Sequence, residues 1–237
     1  MNSPKHAKAT TRGREKMLRN ISLLALLCSV ALLASCALKQ RADWRTAPLQ
    51  IEVVADGVSA VLVAYAPSPA GRQEVLRSVG FVGKHGVSAD KKEADGKTPS
   101  GMYSIKRAFG LAENPGTHIP YTQVSEDDVW VDDAESRYYN QWAKKSFSDK
   151  DWKSAEALAD EKVAYQYAAV IEYNTKNITS GAGSAIFLHC TKGTPTQGCV
   201  SIPQEDMRKL LLLMVDGTQI AIAASEEELQ KIVSQQN

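Results

Sequence analysis

Residues 186–201 read IFLHCTKGTPTQGCVS, a stretch that combines a strand pattern with two reactive side chains. An apolar strand leads to His189, a loop with glycine and proline follows, and the loop ends in Gly198-Cys199 before a predicted helix. Such a loop can fold the histidine back onto the cysteine ten residues later. Nucleophilic catalysis requires this pairing, because a thiol needs a base within hydrogen-bond reach. Gly198 lacks a side chain, so a substrate carbonyl could approach the N–H groups around Cys199, which would hold an oxyanion.

The segment after Cys199 is predicted to be a helix with Ser201 as its N-cap. Gln204 lies three residues later, as in a capping box, and Pro203 suits the first turn. Helical spacing places four apolar side chains on one face, namely Met207, Leu210, Leu211 and Met214. Cys199 lies two residues before the predicted N-cap. The helix dipole and a protonated His189 are therefore expected to lower the pKa of the thiol. The reactive form is then either an ion pair or a neutral thiol hydrogen-bonded to a neutral imidazole.

The chain around this segment favours β-structure. Alternating apolar residues and turn signals predict strands at Ile51–Val54, Val58–Tyr65, Glu74–Val82, Met102–Ala108, Val163–Tyr173, Ala185–Cys190 and Thr218–Ala223. Segment 130–162 is different: it is rich in acids, aromatics and alanines and predicts two helices, Ser136–Lys145 and Trp152–Glu161. This segment is too short to bury its own core, so we interpret it as an insertion on a β scaffold. The expected fold class is mostly β with short helices (α+β).

The N-terminal segment has the pattern of a secretory signal. The first 35 residues hold six basic residues and one acid, and an apolar run of 14 residues, Ile21–Ala34, follows the basic stretch. That run is shorter than the roughly 20 residues of a membrane span. It leads into Leu33-Ala34-Ser35-Cys36, which resembles a bacterial lipobox whose cysteine carries lipid. An uncleaved N-terminal anchor is the alternative, and Met17 is a second candidate start.

These patterns predict a signal peptide at 1–35, a lipidated tether at 36–48 and one domain at 49–237. Of the 28 basic and 27 acidic residues, 22 and 26 lie beyond residue 35, a net charge of −4 that gives no support for nucleic-acid binding. Ala37 follows Cys36, so no aspartate favours retention in an inner membrane. We expect a cell-envelope lipoprotein, anchored through lipid on Cys36 and facing the periplasm, at the outer membrane of a two-membrane bacterium.

Residues 186–201 resemble the signature of the L,D-transpeptidase catalytic domain, also called the YkuD domain. In that signature a histidine ends a strand, and a loop leads to Ser/Thr–His–Gly–Cys. The likeness extends from about Leu49 to Ala224 and includes His85-Gly86, the stretch DGKTPSG at 95–101, Trp130-Val131-Asp132-Asp133, Tyr139-Asn140 and Tyr173-Asn174. Two positions depart from the family pattern. Gln197 replaces the usual histidine before Gly-Cys, and Ser201 replaces the usual asparagine or arginine.

The resemblance implies a β-sandwich or barrel whose cysteine is acylated by a peptidoglycan stem peptide without a cofactor. By matching position, Cys199 is the nucleophile, His189 is the general base, the carbonyl of Cys190 orients the imidazole, and Gly198 lies in the oxyanion region. The acyl group then passes to an amine, which forms a cross-link, or to water, which trims the peptide. Substrate contacts are expected from His85, Gln197, Ser201 and Tyr173.

Other interpretations stay open at this point. Cys190 and Cys199 could form a disulfide, although strand alternation turns Cys190 away from the face that carries His189. A metal site made of these three residues would have too few ligands at poor spacing, so no metal is expected. The domain could also be a catalytically silent wall-binding module, which the departures at Gln197 and Ser201 would favour. The aromatic residues of the insertion either grip substrate or pack its interior.

Overall fold

The computed structural model describes residues 47–235, and their backbone is dominated by strands. The predicted signal peptide, Cys36 and nearly all of the tether lie outside the described residues. The strands are β1 (Gln50–Asp56), β2 (Ser59–Ser68), β3 (Gly71–Phe81), β4 (Val87–Ser88), β5 (Thr98–Pro99), β6 (Gly101–Gly110), β7 (Tyr121–Gln123), β8 (Asp128–Val131), β9 (Trp142–Lys144), β10 (Ala155–Ala157), β11 (Ala168–Ile171), β12 (Phe187–Cys190), β13 (Val200–Ile202) and β14 (Gln219–Ala223). The helices are α1 (Gln204–Leu213) and α2 (Glu226–Ser234), with a 3-10 turn at Ala164–Gln166.

The large sheet closes on itself. Its strand order is β11-β12-β13-β3-β2-β1-β14-β6-β7, and β6 pairs with β11 as well as with β14. Eight strands therefore form a barrel-like sheet, and β7 extends it beyond β6. Strand β1 shows the sequence logic, because Ile51 and Val53 are fully buried while Asp56 is exposed at the hairpin to β2. The predicted fold class, mostly β with short helices, is confirmed.

Helix α1 packs its predicted apolar face into the core. The side chains of Met207, Leu210, Leu211 and Met214 are all fully buried. The predicted N-cap was wrong. The N-cap position is Pro203, and Ser201 lies inside β13. A parallel pairing between β12 and β13, which matches His189 with Ser201, extends the backbone there. Helix α2 begins after Ser225, whose hydroxyl caps it by accepting a hydrogen bond from the Glu228 N–H.

The insertion is built from strands, so the two predicted helices, Ser136–Lys145 and Trp152–Glu161, are wrong. Strands β9 and β10 flank β8 in a separate three-stranded antiparallel sheet. Aspartate side chains explain the difference, because they bind backbone N–H groups that a helix would use. Asp133 accepts from the N–H groups of Glu135 and Lys153, and Asp127 accepts from that of Ser146.

The interior of the insertion is continuous with the core of the barrel. Trp130 is fully buried and stacks edge-on against Phe187 of β12, with ring centroids 5.0 Å apart. Trp152 is also buried, in a cluster with Val131. These aromatic side chains thus pack the interior. Among residues 47–235, no helix is long and apolar enough to span a membrane.

Candidate active site

Cys199 lines a cavity of about 550 Å³ to which the insertion also contributes residues. The residue lies directly before β13 and is 9% exposed. Its Sγ accepts a hydrogen bond from the Phe187 N–H at 3.3 Å and donates one to the Ala185 carbonyl at 3.2 Å. Burial, and then the charge of Glu156, raises the pKa of the Cys199 thiol to about 12. The expected lowering of this pKa was wrong, because β13 separates the thiol from helix α1 and desolvation dominates.

His189 lies on β12 and lines the same cavity as Cys199. Its Nδ1 is 2.9 Å from the Cys190 carbonyl oxygen, the contact that the resemblance implied. A carbonyl only accepts, so Nδ1 carries the hydrogen and Nε2 keeps its lone pair. Burial lowers the pKa of His189 to about 4, so the imidazole is neutral at physiological pH. Of the two forms considered for the pair, a neutral imidazole with a neutral thiol is therefore favoured over an ion pair.

Two threonine hydroxyls hold the backbone of the cysteine. The hydroxyl of Thr196 donates to the Cys199 carbonyl at 2.7 Å, and that of Thr98 donates to the same oxygen at 3.0 Å. Thr98 is fully buried and also accepts from the Gly83 N–H at 2.8 Å. The DGKTPSG stretch, whose role the sequence left open, thus contacts the Gly-Cys turn from a distant part of the chain.

Gly198 adopts a backbone conformation that L-residues rarely adopt, with φ of +149°. A Cβ at this position would lie 3.0 Å from the Lys97 carbonyl oxygen. The N–H of Gly198 donates to the Thr196 hydroxyl at 3.1 Å. The turn therefore needs glycine both for its φ and for the close approach of residue 97.

Cys190 is separate from the cavity. It is fully buried as a free thiol and donates to the Tyr167 carbonyl at 3.4 Å. Burial raises its pKa to about 11. Cys199 is free as well, so the disulfide considered between the two is not formed. No group of three or more histidine, cysteine or acidic residues arranged to bind a metal occurs within residues 47–235.

The four residues that were expected to contact substrate lie in different surroundings. Gln197 is exposed and lines the cavity. Ser201 is buried, and its hydroxyl has no hydrogen-bond partner within the described part of the chain. His85 does not line the cavity: it is exposed, with Nδ1 2.7 Å from the Asp95 carbonyl. Tyr173 does not line it either, since its hydroxyl donates to Ala182. His85, Tyr173 and Ser201 are thus not among the residues that line the cavity, and their contacts with substrate stay a prediction.

The structure adds cavity residues that the sequence did not indicate. Tyr165 lies edge-on to His189, with ring centroids 5.6 Å apart, and its hydroxyl donates to Glu156 at 2.6 Å. Asp132 and Glu161 also line the cavity. These residues come from the insertion and the segment after it, which become neighbours of the cysteine only on folding. The sole sequence signal was Asp132, which belongs to one of the family-like motifs.

The barrel-like sheet and the cavity shared by a histidine and a cysteine are the features of a cysteine-dependent catalytic domain. A family model described as the L,D-transpeptidase catalytic domain, YkuD, matches residues 61–222. The match covers more than half of the chain, which therefore belongs to this family. A search of curated proteins found no match. Membership implies L,D-transpeptidase-type catalysis in the cell wall, with peptidoglycan as substrate.

Proposed function

We propose that this protein forms an acyl-enzyme on Cys199 with a peptidoglycan stem tetrapeptide and transfers the acyl group to an amine. The observation that carries the proposal is the shared cavity of Cys199 and His189, together with a ring whose unprotonated nitrogen is Nε2. The attacked bond joins the L-centre of a diamino acid to a terminal D-alanine, as the family implies.

In the first half-reaction, Nε2 of His189 takes the thiol proton while Sγ attacks the peptide carbonyl. The imidazolium then gives this proton to the leaving D-alanine nitrogen, and a thioester remains. The high pKa of Cys199 and the low pKa of His189 both oppose a resting ion pair. Proton transfer is therefore expected to accompany attack, from a neutral thiol and a neutral imidazole.

The oxyanion of the tetrahedral intermediate would form beside Gly198 and the Cys199 N–H. The two threonine hydroxyls bind the Cys199 carbonyl, so the backbone directly after the Cys199 N–H is fixed before substrate binds. Preorganised donors of this kind lower the barrier without a reorganisation cost. This supports a catalytic domain over a silent wall-binding module.

The proposal is tested with Cys199→Ala and a matched control, Cys190→Ser, which changes the other cysteine of the described chain. A carbapenem should add one covalent mass to the wild type and to Cys190→Ser, and none to Cys199→Ala. Incubation with disaccharide-tetrapeptide should then yield cross-linked dimer. Undiminished turnover in Cys199→Ala would overturn the proposal. A trimmed tripeptide without dimer would instead identify an L,D-carboxypeptidase that uses the same acyl-enzyme.

We further propose that the domain acts on the periplasmic side of a membrane through lipid on Cys36. The support is the lipobox-like sequence after a basic and apolar leader. Lipid on a tether of about a dozen residues would keep the cavity close to that membrane. The peptidoglycan substrate of the family lies in the same compartment.

A further inference from the structure

Two carboxylates of the insertion enter the cavity of Cys199. Strand β10 pairs with β8 so that Glu156 lies opposite Trp130, and Asp132 directly follows β8. Both acids line the cavity together with Cys199 and His189. The insertion therefore contributes negative charge to the place where the chemistry would occur.

The other charged groups of this cavity have partners. Lys192 pairs with Glu161 at 2.9 Å, and Lys91 pairs with Asp95 at 2.6 Å. Glu93 accepts a hydrogen bond from the hydroxyl of Tyr139. The two lysines that line the cavity thus already have acidic partners, and neither forms an ion pair with Asp132 or Glu156.

Three acids of the cavity, Glu93, Asp132 and Glu156, form no ion pair within residues 47–235, and Glu93 has both the Tyr139 hydroxyl and the Ala94 N–H as donors. Oδ1 of Asp132 is buried and has no hydrogen-bond partner within residues 47–235. Glu156 has the neutral hydroxyl of Tyr165 at 2.6 Å. A buried carboxylate without a partner is costly, so such a pair favours a ligand that supplies positive charge and several N–H donors. Burial raises the pKa of Glu156 to about 7, with smaller contributions from the charges of Glu161 and Asp132, against the hydrogen bond from Tyr165 and the charge of Lys192, which lower it.

We propose that Asp132 and Glu156 bind the ammonium group of the acceptor and that Glu156 removes its proton. The inference rests on the proposed acyl-enzyme, because the acceptor attacks the thioester of Cys199. An ammonium is not nucleophilic, so one proton must leave before attack. Glu156 takes this proton; the free amine adds to the thioester carbonyl; the tetrahedral intermediate collapses and releases the sulfur. The second nitrogen proton passes through His189 to Sγ, which restores the thiol, and Glu156 later loses its proton to water.

The test compares two acceptors of similar size and different charge. Methylamine is cationic at neutral pH, whereas hydroxylamine is uncharged and needs no deprotonation before attack. Disaccharide-tetrapeptide serves as donor, and mass spectrometry counts the methylamide, hydroxamate and hydrolysis products. Glu156→Gln keeps the size of the side chain and an acceptor for Tyr165 but has no charge. Asp132→Asn is the second variant, and Glu135→Gln is the control, since Glu135 lies in the same insertion with its side chain 80% exposed and outside the cavity lining.

We expect Glu156→Gln to lower the yield of methylamide relative to hydroxamate by roughly tenfold or more, as loss of a charge-assisted contact does. Asp132→Asn should shift the same ratio in the same direction, and Glu135→Gln should leave it unchanged. Carbapenem acylation of Cys199 should be unchanged in Glu135→Gln. The product ratio is compared at equal amounts of acyl-enzyme, so that any effect of Glu156→Gln or Asp132→Asn on acylation itself does not enter it.

An unchanged product ratio in Glu156→Gln, or an equal fall for both acceptors, would overturn the acceptor subsite and leave the proposed function intact. A wild-type enzyme that is acylated but gives only hydrolysis product would also overturn it. A wild-type protein that is never acylated would overturn the proposed function itself, and the subsite with it.

Discussion

Glu156→Gln is also predicted to stabilise the folded protein, by an amount that depends on pH. Glu156 is a carboxyl in the cavity wall whose pKa is raised from its ordinary 4.5 to about 7, mainly by burial. Its ionised form is therefore disfavoured in the folded state. Glutamine has no ionised form, keeps an oxygen for the Tyr165 hydroxyl, and removes this cost.

The magnitude follows from proton linkage. Between about pH 4.5 and pH 7 the folded chain holds a proton on Glu156 that the unfolded chain has lost. The stabilisation that comes from keeping this proton is therefore fully present below the pKa of the unfolded state, and it is lost as the pH rises through the pKa of the folded state. Each pKa unit corresponds to about 1.4 kcal/mol, so the whole shift corresponds to roughly 3 kcal/mol. Relative to wild type, Glu156→Gln should gain about 1 kcal/mol at pH 5 and about 3 kcal/mol at pH 8.

Urea unfolding of residues 47–237, followed by tryptophan fluorescence at pH 5 and pH 8, measures both values. Glu135→Gln is the control, because it removes the same charge at an exposed position. This substitution should change the unfolding free energy by less than about 0.5 kcal/mol at either pH. A gain of equal size at both pH values would refute the linkage argument, since only a titrating group produces the pH dependence. A lower stability of Glu156→Gln than of wild type at pH 8 would refute the claim that the ionised form of Glu156 destabilises the folded state.

Three further predictions concern the surroundings of Cys199 and the lipid anchor on Cys36. Thr98→Val removes the hydroxyl between the Gly83 N–H and the Cys199 carbonyl; we expect about 1–3 kcal/mol lower unfolding free energy by urea titration and slower carbapenem acylation. In His189→Gln, the rate of carbapenem acylation should fall by roughly 10²–10⁴-fold and should rise toward high pH. The wild-type rate should stay constant down to near pH 5, because a pKa of about 4 keeps the His189 ring neutral. A wild-type pH profile in His189→Gln would point to another base. Labelling with a fatty-acid analogue should depend on Cys36, and labelling that survives Cys36→Ala would contradict a lipoprotein.

Much of the barrel could be predicted from local patterns. The β1–β2 hairpin follows from alternating apolar residues and the turn at Asp56-Gly57, where glycine takes a φ of +61°. The apolar face of helix α1 follows from helical spacing alone. The prediction of helices in the insertion was wrong for a local reason too. Its aspartates bind backbone N–H groups of turns, and amino-acid composition does not show such contacts.

The sequence by itself determined the parts that depend on neighbours along the chain. A strand that ends in His189, a Gly198-Cys199 turn and the Cys190 carbonyl beside the imidazole lie within one short stretch. Only the tertiary structure decided which distant groups meet them. Thr98 reaches the Cys199 carbonyl from 101 positions away, and Glu156 reaches the cavity through β8–β10 pairing. The pKa of Cys199 shows the physical reason: desolvation depends on every atom packed around the thiol, and burial outweighs the helix-dipole effect that the local order of residues suggests.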